Sequence, residues 1–232
     1  MLFSLSNPKI VFAGPSIITI PNQFYNGITI YPPVRTGDLI PLFKLTPGIC
    51  IIIDGVFSRN RAITPFECID LINLGWKVIG SSSMGALRAA DLYTMGMIGI
   101  GEVYNMYRLG ICTSDADVAV VYEMVNGTYK ELTISLVHIM SLLQVLEDKQ
   151  LIDSIKSREL LYKAKKIIWF ERTLDYLLNE WLHIGINLNL ISKVRQIFQD
   201  QKFDPKKIDA LEALKYVNTK RWYSRTLDLS AT

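Results

Sequence analysis

The chain has 232 residues, half of them hydrophobic, and 25 Lys and Arg residues against 22 Asp and Glu give it a formal net charge of +3. That length supports a large buried core. The charge is too weak to argue for nucleic acid, and no apolar run reaches the roughly 18–20 residues of a membrane span. In chain order, residues 9–13 (KIVFA) read as a buried strand ending at Gly14-Pro15, and residues 28–31 (ITIY) as a second strand broken by Pro32-Pro33. Residues 37–43 suggest a short helix, and residues 49–54 (ICIIID) a third strand stopped by Gly55. Thr64-Pro65 opens a helix, because Thr caps and Pro suits the first helical position; Gly75 ends it. Residues 77–80 form a fourth strand, a helix starts near Gly85, residues 102–109 look helical, and residues 118–122 (VAVVY) suggest a fifth strand.

This alternation predicts an α/β domain: an open, mainly parallel, Rossmann-like sheet with helices on both faces, over residues 1–126. From residue 127 onward the apolar spacing becomes helical in five stretches, 132–146, 154–170, 173–181, 190–198 and 205–217. The expectation is an all-helical extension, residues 127–232, packed on the core, with no strand of its own. Asn126-Gly127-Thr128 reads as a turn, and the lysines at 163, 165 and 166 as a solvated helix face.

Cys50, Cys68 and Cys112 are odd in number and far apart, without CxxC spacing. Neither a disulfide framework nor a metal site is indicated. The first 16 residues lack a basic start and a long apolar stretch, so no signal peptide is read and a cytoplasmic location is expected.

The stretch that carries chemistry is Gly80-Ser81-Ser82-Ser83-Met84-Gly85, where a strand turns into a helix. Ligands of an open parallel sheet bind outside the carboxyl ends of its strands. Gly14-Pro15-Ser16 and Asp54-Gly55 lie at two other such ends, so the three loops can meet at one cleft. Three readings of the serines stand. Ser83 can cap the helix by accepting the Ala86 N–H. Ser81, Ser82, Met84, Gly14 and Ser16, with Arg88 nearby, can bind an anion. Alternatively, Ser83 can be a nucleophile: Ser81-x-Ser83-x-Gly85 has the small-x-Ser-x-small form of a nucleophile elbow, with the Met84 N–H as oxyanion donor. Asp54 is the best placed acid. A base is missing, because His138 lies in an apolar helix and His183 at a helix end.

Set in order, VFAGPS (11–16), PPVRTGDL (32–39), IIDGVF (52–57), TPFECIDLINLG (64–75), VIGSSSMGALRAADLYTMGMIGIG (78–101) and DVAVVYE (117–123) resemble the TfuA-like core domain family. The resemblance implies partnership with a YcaO enzyme, which activates a backbone amide with ATP. It also implies thioamidation, in ribosomal peptide natural product biosynthesis or on a protein. On this expectation the chain delivers sulfur from a thiocarboxylated ubiquitin-like carrier and meets the peptide substrate only indirectly, without a cofactor of its own, nucleic acid or membrane. One version is a serine-dependent thiocarboxylate hydrolase, with Ser83 and Asp54 catalytic and Arg88, Asp91, Gly85, Arg35 and Asp38 in attendance. The alternative is a non-catalytic module that docks the donor or substrate and activates YcaO. The family pattern has Glu where Asp91 stands, a longer acid of the same charge, and histidines near Pro65 and Tyr122; if those histidines are catalytic in the family, the second version follows.

Overall fold

The computed structural model describes residues 7–57, 61–199 and 203–219. Short apolar runs rich in β-branched residues pair into one parallel sheet of five strands: β1 (Lys9–Phe12), β2 (Thr29–Tyr31), β3 (Ile49–Ile52), β4 (Lys77–Ser81) and β5 (Ile98–Ile100). Their order is β2-β1-β3-β4-β5, and every pairing is parallel. A parallel sheet must be covered on both faces. Accordingly, all four β3 residues are buried and alternate between two cores.

On one face, Cys50, Ile52 and Val78 pack against helices α1 (Pro65–Asn73) and α2 (Met84–Leu92). Thr64 caps α1 through a reciprocal capping box with Glu67, with Pro65 in the first turn, as its sequence predicts. The other face is different. The β1–β2 connection carries only two short 3-10 turns, Pro15–Ile17 and Asn22–Tyr25. Val11, Ile51, Ile53 and Ile79 are covered instead by Ala210, Ala213, Leu214 and Val217 of the last helix, α8 (Pro205–Asn218). Small residues at 210 and 213 let α8 lie close to the strands.

Between sheet and α8 come α3 (Glu102–Arg108), a β-hairpin, and α4 (Leu136–Asp148), α5 (Ser154–Lys166), α6 (Leu174–His183) and α7 (Leu188–Gln199). These last four enclose a second core around Leu142, Leu146, Leu160, Trp181 and Val194. The buried Trp181 indole N–H donates to the Leu160 carbonyl at 3.2 Å. Among the described residues no helix is long and apolar enough to cross a membrane.

Two expectations need correction. The fifth strand of the sheet is Ile98–Ile100, not residues 118–122. Val118 and Ala119 are buried, but Val118 packs with Ala86, Val103, Cys112 and Val137 rather than in a ladder. A short apolar run signals burial and does not by itself distinguish a strand from a packed loop. Second, β6 (Tyr122–Val125) and β7 (Thr128–Glu131) form an antiparallel hairpin, so the second half does contain a strand. Asn126 and Gly127, at φ 50° and 77°, make its two-residue turn.

Because α8 alone screens much of one sheet face, Leu214→Ala is expected to cost about 2–4 kcal/mol. An unchanged urea midpoint in that variant would contradict the role given to α8.

Candidate functional site

The strand-to-helix turn after β4 is forced by close backbone packing. A Cβ placed on Gly85 would lie 1.7 Å from the Ile52 carbonyl oxygen, and one on Gly80 would lie 2.1 Å from the Gly85 oxygen. Only glycine fits at either position, and the chain must reverse within Ser81–Ser83. Ser82 absorbs the reversal: its φ is +69°, the left-handed region that a side chain disfavours by about 1–2 kcal/mol. Ser81, Ser82 and Ser83 are 0, 0 and 2 % exposed. The Ser81 hydroxyl lies 2.8 Å from the Ile100 oxygen and 3.0 Å from the Asp209 oxygen, so its single proton is shared between them. The Ser82 Oγ is buried with no hydrogen-bond partner among the described residues.

Ser83 holds the N-cap position of α2, yet its side chain makes no capping bond; Ala86 N–H donates to the Ser83 backbone oxygen instead. The Ser83 N–H is engaged by the Ser81 and Ile53 oxygens, at 2.9 and 3.3 Å. Met84, the first residue of α2, has no carbonyl within the helix to accept its N–H. The sharp, strained position of an elbow is therefore Ser82, not Ser83. The signal was present in the sequence: Gly80 stands two residues before Ser82.

The order β2-β1-β3-β4-β5 places the topological switch between β1 and β3, where doubly wound sheets bind anionic ligands. Asp54 occupies that place. Its carboxylate accepts the Gly14 N–H (2.8 Å), the Ser16 N–H (3.0 Å) and the Ser16 hydroxyl (2.7 Å). The loop donors predicted to hold an external anion are thus engaged by an internal one. Burial raises the Asp54 pKa, against the field of Lys206 and the three hydrogen bonds, which lower it. The hairpin overlies this point, since a Cβ on Gly14 would lie 3.3 Å from the Tyr129 ring.

A family comparison matches residues 54–173, just over half of the chain, to the TfuA-like protein family. The chain belongs to the TfuA-like family. No curated protein matches it. The matched region of this TfuA-like protein begins at Asp54 and includes the whole serine elbow. Strands β1, β2 and β3 and helices α6, α7 and α8 lie outside it.

Helix α8 carries two buried charged groups that the sequence did not single out, and one of them, Asp209, meets the elbow through its carbonyl. Lys206 is 1 % exposed; its ammonium donates to Glu131 Oε1 at 3.2 Å and to the Val118 oxygen at 3.5 Å. Burial works to lower its pKa, but Glu131, Asp204 and Asp54 together hold it above the ordinary value, so it stays charged. Asp209 accepts from the Glu102 and Val103 amides, at 2.9 and 2.8 Å, and so caps α3. Burial pushes its pKa from 3.8 up to about 7, against those two bonds.

Other expected residues lie elsewhere. Arg88 donates to the Ile63 oxygen (3.0 Å) and to Asp91 (2.8 Å), tying α2 to the loop before α1. Asp38 accepts the Arg35 N–H in a turn, and both line a shallow groove with Tyr31, Pro32 and Pro33. The three cysteines are free and buried; burial raises Cys50 and pushes Cys68 and Cys112 up to about 12. Thiols held protonated and out of reach are poor carriers of sulfur. Among the described residues no cluster of His, Cys, Asp and Glu is arranged for a metal ion.

Two predictions follow from these strains. Replacing Ser82 with Gly relieves the left-handed conformation and removes an unpaired buried hydroxyl, so Ser82→Gly is expected to gain about 1 kcal/mol of stability in chemical denaturation. The Asp209 contribution has a definite sign: a raised acid pKa stabilises the fold fully below about pH 4 and loses that stabilisation as pH rises to about 7. Asp209→Asn is expected to flatten the stability–pH curve in that window by roughly 2–4 kcal/mol; an unchanged slope would overturn the assignment.

Proposed function

We propose that this TfuA-like protein serves a YcaO enzyme in backbone thioamidation by releasing sulfide from a thiocarboxylated ubiquitin-like carrier, with Ser82 as the attacking residue. The observation that carries the reading is Ser82 itself: a non-glycine residue held at φ +69° on a strand-to-helix elbow, its buried hydroxyl without a partner. Strain of this kind persists where surrounding structure over-determines it, and it clusters at working sites.

In the proposed step the Ser82 oxygen bonds to the thiocarboxylate carbon and the carbon–sulfur bond breaks. Sulfur leaves as hydrosulfide, carrying the serine proton, and a serine ester remains. Water then cleaves the ester, returning the serine and a carrier carboxylate with release of one proton. The Met84 N–H is the available donor for the oxyanion. Because hydrosulfide departs readily and takes the proton with it, the step places little demand on a separate base. The elbow is sealed from solvent, so the reading requires that the carrier's docking open it; the hairpin beside Gly14 has no residue in the hydrophobic cores.

Complete burial of Ser81 and Ser82 also favours a second reading. There the elbow is structural and the protein only docks the donor and activates YcaO. One reconstitution separates the two. With thiocarboxylated carrier and YcaO, Ser82→Ala is expected to cut sulfide release at least about a hundredfold while binding to YcaO persists. Ser83→Ala is expected to stay near the parent rate. Parent-like release by Ser82→Ala would remove the nucleophile and leave the docking reading.

A further inference from the structure

A cavity of about 320 Å³ lies away from the elbow, between the hairpin, the residues leading into α4, and the starts of α6 and α8. Three helices present their N-terminal ends to it. Ser135 caps α4, Thr173 caps α6, whose first residue Leu174 lines the cavity, and Asp204 caps α8. These helices are 13, 10 and 14 residues long, and the positive ends of their dipoles converge.

The side chains reinforce that field. Lys206 and Lys207, consecutive on α8, are 1 and 9 % exposed and both line the cavity. Burying two adjacent ammonium groups is costly unless anions serve them. Glu131 stands 3.2 Å from Lys206 and 3.9 Å from Lys207, and Asp204 stands 3.8 Å from Lys207, so both ammonium groups face carboxylates. His138 also lines the cavity, with a side chain only 10 % exposed and its ring stacked on Phe198 at 4.4 Å. Its ring makes no hydrogen bond among the described residues. Its Nδ1 stands 3.8 Å from Asp204 Oδ2, an oxygen that is itself buried without a hydrogen-bond partner there. Glu131, Lys130, Thr133 and Ser135 also line the cavity, and Ile18, Val120, Ile134, Leu174 and Phe198 give it one apolar side.

We propose that this cavity binds a carboxylate carried on a short apolar body, with the carboxylate on the Lys206–Lys207 edge and the apolar part against Phe198 and Leu174. The volume suits a small organic acid or the last residues of a peptide. An added anion favours protonation of His138. Asp204 and Glu131 act in the same sense, Lys206 and Lys207 against it, and burial, the largest influence, keeps the ring neutral in the empty cavity. Once protonated, the ring carries a positive charge that faces Asp204 Oδ2 across 3.8 Å. Ligand uptake is therefore coupled to proton uptake at His138. None of this depends on sulfide release.

The test follows the His138 ring resonances by NMR during titration with hexanoate, hexanamide, a short acetylated peptide ending in leucine as acid and as amide, and inorganic phosphate. Saturable shifts with an acid, none with its amide, and an upward move of the His138 titration midpoint are expected. Binding of hexanoate identifies a free acid as sufficient; binding of the peptide acid alone identifies a chain end. Lys207→Met is expected to weaken binding about tenfold. Leu174→Trp, which fills the cavity without touching a charge, is expected to abolish it and decides the matter should Lys207→Met not fold. The proposal is overturned if neither acid shifts His138, if acid and amide bind alike, if phosphate alone binds, or if Leu174→Trp binds as the parent does.

Discussion

The contact on which the rest of the site depends is the backbone-to-backbone approach of α2 to the end of β3. Gly85 lies so close to the Ile52 carbonyl that no side chain fits between them, and Gly80 meets Gly85 in the same way. With α2 held this near, the three residues joining it to β4 have no room for a relaxed loop. One must take a left-handed conformation, and it is Ser82. The same approach presses Met84 onto Gly55, where a Cβ would lie 2.7 Å from the methionine side chain. The elbow is thus a product of sheet geometry rather than of its own three serines.

A second constraint lies at the sheet's switch point. At the switch between β1 and β3 the chain answers its own loop amides with Asp54, so the position that many doubly wound folds give to a ligand's anion is already filled. An unsatisfied buried hydroxyl lies one strand further along, at Ser82. Helix α8 seals the region, with the Asp209 carbonyl on Ser81 and Lys206 spanning from Val118 to Glu131. The cluster around Lys206 then continues into the cavity beside His138, so one helix start serves two neighbouring polar regions.

The strands β1, β3 and β4 were legible because parallel strands buried on both sides read as unbroken apolar runs, and α1 because its cap and proline are local signals. The TfuA-like family membership was legible from motif order. What the sequence hid were pairings over long distances. β5 has only three residues with a central glycine, too little for any periodic signal. The choice between Ser82 and Ser83 turned on which glycine, 80 or 85, frames the elbow, and that depends on a contact with Ile52 more than thirty positions away. Nothing in the sequence singles out Lys206 and Asp209 within the helical stretch 205–217; only the fold shows that α8 closes one face of the sheet. His138 was read as a core histidine, and it is buried, but its neighbour Asp204 lies 66 residues further along the chain.

That α8 covers the open face of the sheet also has a consequence in time. The five strands are complete by Ile100, but the residues that shield Val11, Ile51, Ile53 and Ile79 come at 210–217. At about 5–20 residues per second of synthesis, the nascent sheet spends roughly 5–25 seconds with that face covered only in part, by residues such as Ile20 and Phe24. During that interval the growing chain is a client for chaperones and a target for aggregation, and the four-helix unit made in between cannot relieve it, because its own core is closed on itself. That face of the sheet is not fully covered until the last described helix has been made.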